Sequence, residues 1–209
     1  SGFLGAGKTT FIKRLARNVD QRFAILENEY GAAGIDGARL GQNRQGTQKN
    51  VWEMTEQCIC CIGKKDFAAS VLTIANVVDP EYLIVEPTGV GSLARIIENL
   101  RQIEYERIQL LSPVTIVDVY SYRRYMAEYP ELYQDQIRSA DTIIVSKTEA
   151  CQAEEKQRIQ KFLQEINSQA KIITDYASTM TREDYQSLLL GGRYEKEVQD
   201  TQSGEKMPE

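Results

Sequence analysis

Residues 1–10 read "SGFLGAGKTT". Gly2 and Gly7 bracket four residues and Lys8-Thr9 follow directly, which is the Walker A spacing. The next run, "FIKRLARNV" (11–19), repeats apolar residues at helical intervals. In such a loop the glycines let successive backbone N–H groups turn inward on phosphates, and the helix N-terminus adds its partial positive charge. The pattern assigns Gly2, Gly5, Ala6, Gly7, Lys8, Thr9 and Thr10 to nucleotide binding. Lys8 is expected to reach the β- and γ-phosphates, and the Thr9 hydroxyl is expected on magnesium. A glycine turn capping an ordinary helix leaves Lys8-Thr9 in register unexplained. Because a loop of this kind follows a buried strand, the reading places the strand that leads into it ahead of Ser1, outside the sequence.

Working outward, short apolar runs alternate with helical patterns. Strand-like stretches lie at 22–27, 82–86, 114–118, 142–146 and 171–174, with helical patterns at 9–19, 64–77, 92–101, 121–139 (broken at Pro130) and 150–167. Strands separated by helix-length connections favour right-handed crossovers, and hence an α/β protein with a doubly wound, mostly parallel sheet. The expected organisation is one nucleotide-binding domain over 1–190 and a polar linker or tail over 191–209, where periodicity stops.

Composition narrows the function. The chain has 25 Lys and Arg against 30 Asp and Glu, a formal charge of −5, so it lacks the basic footprint of a nucleic-acid binder. No apolar stretch is long enough to cross a bilayer, and no signal-peptide pattern opens the chain, so the expectation is a cytoplasmic protein with reduced thiols and no membrane partner.

In doubly wound sheets ligands bind at the carboxyl ends of the strands. Acidic residues collect there: Glu27, Glu86 and Asp118 each close a strand-like run. Glu86, followed by "PTGVG", is placed as a Walker B-like acid holding a magnesium-bound water, and the Gly89 N–H is placed toward the γ-phosphate. The run 142–146 leads into "SKTE" (146–149), which has the form of a guanine-recognition motif. A carboxylate is an acceptor only, so Glu149 suits the ring N–H and exocyclic amine of guanine and would oppose the adenine N1 lone pair. The Lys147 stem would pack along the base. Ser146 stands where Asn is usual, and Glu149 is one methylene longer than the usual Asp, which keeps an ATPase reading open. The glycine-spaced segment 31–41 has the composition of a mobile switch, and Asp36 within it is a candidate for a magnesium-water role.

"GFLGAGKTT", "ENEYGAAGID", "CICC", "EPTG" and "SKTE", in that order, resemble the CobW-like P-loop GTPases, relatives of the nickel-insertion GTPases that serve hydrogenase and urease. The resemblance covers about residues 1–175. It implies a SIMIBI-like GTPase domain of the metallochaperone type, using GTP and magnesium and binding zinc or cobalt. Its implied partners are a client metalloprotein or a cobalamin-dependent enzyme. It also implies transition-metal ligands at Cys58, Cys60, Cys61 and Glu27. The family's histidine-rich segment and smaller C-terminal domain have no counterpart in this sequence.

On chemical grounds, three thiols in four residues suit a thiophilic ion, and the chain has no histidine to substitute for them. Three thiolates with Glu27 would close a tetrahedral shell. Two with Glu27 would leave an exchangeable position, the arrangement favoured here for delivery. A structural zinc site and a redox centre are the competing readings; Cys151, alone, reads as a small packing residue. No arginine finger or water-positioning glutamine is assignable, so slow intrinsic hydrolysis accelerated by a partner or by a homodimer is expected. The alternative function is a metal-storage or sensing module that binds nucleotide without productive hydrolysis. The tyrosine-rich stretch 120–133 reads either as a partner surface or as an amphipathic helix at the sheet edge.

Overall fold

The computed structural model describes residues 1–27, 53–55, 64–87 and 89–190. Among these, the strands are β1 (Phe23–Glu27), β2 (Glu53–Thr55), β3 (Tyr82–Glu86), β4 (Val114–Asp118), β5 (Thr142–Ser146) and β6 (Lys171–Ile173). The helices are α1 (Lys8–Asn18), α2 (Lys64–Val77), α3 (Leu93–Arg101), α4 (Tyr122–Glu128), α5 (Pro130–Arg138), α6 (Ala153–Ile166), α7 (Tyr176–Thr179) and α8 (Arg182–Leu190). Every recorded strand pair is parallel.

The central strands β4 and β5 are largely apolar because both of their faces are covered. Alternation along β4 and β5 sends Ile116 and Ile144 to one face and Val117, Ile143 and Val145 to the other. The first face packs on Phe11, Ile12 and Leu15 of α1, with Tyr185 and Leu189 of α8 closing over them. The second packs on Tyr122, Tyr133, Ile137, Ile159 and Leu163, from α4, α5 and α6. Each such side chain contributes roughly 1.5–3 kcal/mol when fully buried. Helices on both sides of a parallel sheet make the fold doubly wound, as expected. Pro130 ends one helix and begins the next: it occupies the first turn of α5, where its missing N–H is not needed. The short β2, α7 and α8 are additions to the sequence-based outline.

The six strands pair in two groups, β2-β1-β3 and β4-β5-β6. β3 and β4 face each other across a cavity of about 810 Å3, whose lining includes Ile84, Glu86, Ile97, Val114, Ile116 and Leu189. Ser1 lies against the β4 side of this slot. Its nitrogen donates to Val114 O (2.7 Å), and the Ile116 N–H donates to Ser1 O (2.9 Å). The backbone therefore enters the glycine loop running beside β4 as a strand does. Among the described residues no helix is long and apolar enough to cross a membrane.

Candidate nucleotide site

The glycine loop wraps the start of α1. Gly2, Gly5 and Gly7 hold φ of 138°, 71° and 97°, values at which a side chain would be strained. Gly7 is the N-cap of α1; it offers no side-chain oxygen, and the first turn carries no acid. No capping side chain or acid competes with an anion at this helix N-terminus. The Lys8 ammonium folds over the loop, 3.4 Å from Phe3 O. Thr9 and Thr10 follow in the same turn.

Beside this loop stands the end of β3. Glu86 is the register partner of Glu27 on β1, so the two sequence-assigned residues occupy neighbouring backbone positions at the C-terminal rim. Lys8 and Glu86 both line the cavity between β3 and β4. The two side chains therefore share one pocket. Gly89 presses directly on the phosphate loop. A Cβ built there would lie 2.5 Å from the Leu4 nitrogen, 2.9 Å from Leu4 Cγ and 3.0 Å from the Phe3 carbonyl carbon.

The loops after β4, β5 and β6 form the other end of the site. Ser146 is buried, and its hydroxyl donates to Ala6 O (2.6 Å), tying the "SKTE" loop to the phosphate loop. Lys147 turns the chain at φ 60° and donates to Asp118 Oδ2 (2.7 Å). Asp118 also accepts from the Tyr120 N–H (2.9 Å) and the Ser121 hydroxyl (2.8 Å). Burial alone would raise the Asp118 pKa. The Lys147 bond, helped by the Tyr120 and Ser121 donors, outweighs it and holds the carboxyl below its ordinary value. Asp175, after β6, accepts from Lys156 (2.5 Å) and braces the same end. Glu149 is exposed on this rim. It is close enough to Tyr176, whose phenol burial pushes up, to add to that rise.

Asp118→Ala leaves the Lys147 ammonium and two further donors without their acceptor. The expected cost is about 2 kcal/mol, which lowers Tm by roughly 4–8 °C. The sign with pH follows from the depressed carboxyl. Its contribution is complete above the ordinary value of 3.8 and is lost as pH falls through the lower folded value. Thermal melts of both proteins from neutral pH downward should therefore show the wild-type advantage closing below pH 3.8. A gap that persists in acid would contradict this.

The structure thus gathers Gly2, Gly5, Ala6, Gly7, Lys8, Thr9, Thr10, Glu86, Gly89, Ser146, Lys147 and Glu149 along one rim. Asp36, Cys58, Cys60 and Cys61 lie outside the described residues, and Glu27 is described only as the last residue of β1. Among the described residues no three acidic or thiol side chains come together as a metal site. Cys151 is half-buried beside the second core cluster, in keeping with a packing role. Sequence reasoning counted Asp118 among the strand-end acids without giving it a role of its own, and assigned no site role to Asp175, Tyr125 or Gln136. The signal at Asp118 is its place at a strand end; Tyr125 and Gln136 carry no local signal. Tyr125 donates to Leu4 O (3.0 Å), and Gln136 donates to Gly89 O (3.2 Å) and Gly91 O (2.9 Å).

A lysine-bearing glycine loop on a helix N-terminus, with a strand-end acid at its side and a base-type loop tied to it, defines a P-loop nucleotide-binding protein. The chain belongs to the family described as CobW/HypB/UreG, nucleotide-binding domain, whose profile matches residues 1–174. It is 31% identical over 176 residues to the zinc chaperone YeiR of Escherichia coli K12, covering 83% of this chain and 52% of that protein. It is 27% identical over 203 residues to the zinc chaperone CobW of Pseudomonas aeruginosa, covering 83% and 54%. Among solved structures it is similar to the Zn(II)-bound YjiA GTPase from E. coli, with a TM-score of 0.62, 23% identity, and coverage of 86% of this chain and 56% of that one. That likeness concerns the fold. The chain spans about half the length of the relatives it matches.

Proposed function

We propose that this domain binds GTP with magnesium and hydrolyses its terminal phosphoanhydride, and that it couples nucleotide state to delivery of a transition metal, zinc or cobalt, to a client metalloprotein or a cobalamin-dependent enzyme. The observation that carries this reading is the joining of both nucleotide-recognition loops on one rim: Ser146 of the base loop donates to Ala6 of the phosphate loop. Family membership and the zinc-chaperone names of the relatives support the metal half. The register pairing of Glu27 with Glu86 supports the coupling, because a metal ligand on β1 would adjoin the magnesium-side acid on β3.

Lys8 and the first-turn amides of α1 would hold the phosphates, and Thr9, Glu86 and Asp36 would hold magnesium, which neutralises developing charge on the β- and γ-oxygens. Glu149 and Lys147 would take the base. Water attacks the γ-phosphorus in line, the bond to the bridging oxygen breaks, and GDP and phosphate leave. Slow turnover by the isolated protein, accelerated by the client or by a second copy, fits a site in which no described arginine has been assigned to the γ-phosphate. The compartment this implies is the cytoplasm. GTP and ATP competition, read with zinc and cobalt binding on wild type and on a Cys60→Ser, Cys61→Ser variant, tests the reading. By linkage, GTP must change metal affinity by the factor by which metal changes GTP affinity. ATP binding as tightly as GTP, or no reciprocal effect, counts against it.

We infer further that the slot between β3 and β4 seats a strand leading into Gly2, joining the two groups into one sheet. Its two walls are strand edges, and Ser1 already pairs with β4. Extending the protein before Ser1 by about five apolar residues should raise Tm by roughly 10–20 °C. An unchanged melt would remove the inference.

A further inference from the structure

The post-β3 loop is gripped from two sides. On one side Gly89 touches the phosphate-loop backbone at Phe3 and Leu4. On the other, Gln136 of α5 uses both hydrogens of its carboxamide, one on Gly89 O (3.2 Å) and one on Gly91 O (2.9 Å). Gln136 is only 1% exposed. Its own backbone carbonyl is held by the Thr115 hydroxyl (2.8 Å), which anchors it to β4. The neighbouring Asp135 accepts from the Leu93 N–H (2.7 Å), fixing the start of α3 where the same loop ends.

The Gln136 Oε1 is buried and has no hydrogen-bond partner among the described residues. An apolar side chain of the same length would remove that unpaired acceptor. The amide's presence is therefore explained by its two donors. Because the peptide unit is planar and trans, a carbonyl drawn toward α5 sends the following N–H the opposite way. Gln136 thereby fixes the directions of the Val90 and Ser92 N–H groups, and it fixes Gly89 against the loop that cradles the phosphates.

We propose that Gln136 is a positioning residue for nucleotide hydrolysis: its carboxamide holds the Gly89–Gly91 turn at the γ-phosphate end of the site without touching the nucleotide. This rests on the hydrolytic reading of the domain. The same helix pair also meets the phosphate loop through Tyr125, which donates to Leu4 O, and through Phe3, whose ring lies 4.6 Å from that of Tyr125 and 5.1 Å from that of Tyr133. Hence α4 and α5 form one wall of the phosphate-loop end of the site.

Gln136→Glu keeps the shape and places an acceptor against two carbonyls. At neutral pH its kcat for GTP should fall by about 10²-fold, with GDP affinity within about threefold of wild type. Turnover should partly recover as pH is lowered and the introduced carboxyl, protonated, donates one bond. Gln136→Met keeps the length, removes both donors and should lose a similar factor with no such recovery. Wild type is assayed alongside, together with the ratio of affinities for a non-hydrolysable GTP analogue and GDP. A variant kcat within twofold of an active wild type overturns the proposal, as does an equal fall in GDP affinity. If wild type itself does not turn over, the hydrolytic reading fails. The affinity ratio then decides on Gln136: a loss of tenfold or more of the wild-type preference in both variants supports it, and any smaller loss overturns it.

Discussion

Lys8→Ala is expected to lower kcat/KM for GTP by about 10³-fold, the loss typical when a preorganised cation or donor is taken from a developing phosphate charge. Two features make this side chain hard to replace. The α1 N-terminus has neither a capping side chain nor a first-turn acid, so the phosphate charge meets the helix's backbone dipoles there, with the Lys8 ammonium folded over the loop beside them. The ammonium is also held over the loop by Phe3 O, in a pocket where Glu86 is its acidic neighbour. With Lys8 gone, a positive charge is lost from the cavity that Glu86 also lines, which makes the surroundings of the phosphates more negative and adds to the lost attraction. Rapid-mixing single-turnover hydrolysis, with nucleotide binding measured separately, checks the prediction. Wild-type turnover in the variant would place the phosphates elsewhere.

The parts legible in the sequence were those written locally. The phosphate loop is contiguous, so the spacing of Gly2, Gly7, Lys8 and Thr9 carries its whole geometry. The buried strands announced themselves as unbroken apolar runs such as "TIIVS", all five residues of which are buried. Pro130 marked a helix junction because its ring dictates one. Where the outline fell short, the signal was short or distant. β2 spans three residues and α7 four, too few for any period to register. In α8 the buried contacts rest on Tyr185 and Leu189, a single helical spacing, with Leu188 beside them after a polar first turn.

The site divides the same way. Strand-end position pointed to Glu86 before any coordinates, since carboxyl ends of parallel strands are where ligands sit. Gln136 and Tyr125 act across 47 and 121 residues of chain. In sequence, Gln136 is one more polar residue on an amphipathic helix, and only the approach of α5 to the post-β3 loop turns it into a latch. The tyrosine-rich stretch shows the same limit. Its composition suited either a partner surface or the sheet edge, and the rings of Tyr125, Tyr129 and Tyr133 turn out to surround Phe3 of the phosphate loop.

Gly89→Ala should be strongly damaging for a single added methyl. Real Cβ atoms essentially never approach a backbone nitrogen to 2.5 Å, and here the obstacle is Leu4 N with the Phe3 carbonyl carbon behind it. Backbone cannot rotate aside as a flexible side chain does, so one of the two loops has to withdraw. The post-β3 loop has little freedom to do so, because Gln136 holds Gly89 O and Gly91 O and Asp135 holds the Leu93 N–H. The displacement therefore falls on the contact between the loop and the phosphates. Moving reacting or stabilising groups by about 1 Å costs on the order of 10²-fold, and kcat for GTP should fall by at least that much. Binding of GDP, which lacks the terminal phosphate, should change by less than about fivefold. Gly5→Ala is the matched control. Among the described residues nothing lies within 4 Å of a Cβ there, so the protein itself opposes it only through the strain of a side chain at φ 71°, about 1–2 kcal/mol. If Gly5→Ala proves the more damaging in single-turnover hydrolysis, backbone strain in the phosphate loop, rather than the seating of Gly89 against it, limits the reaction.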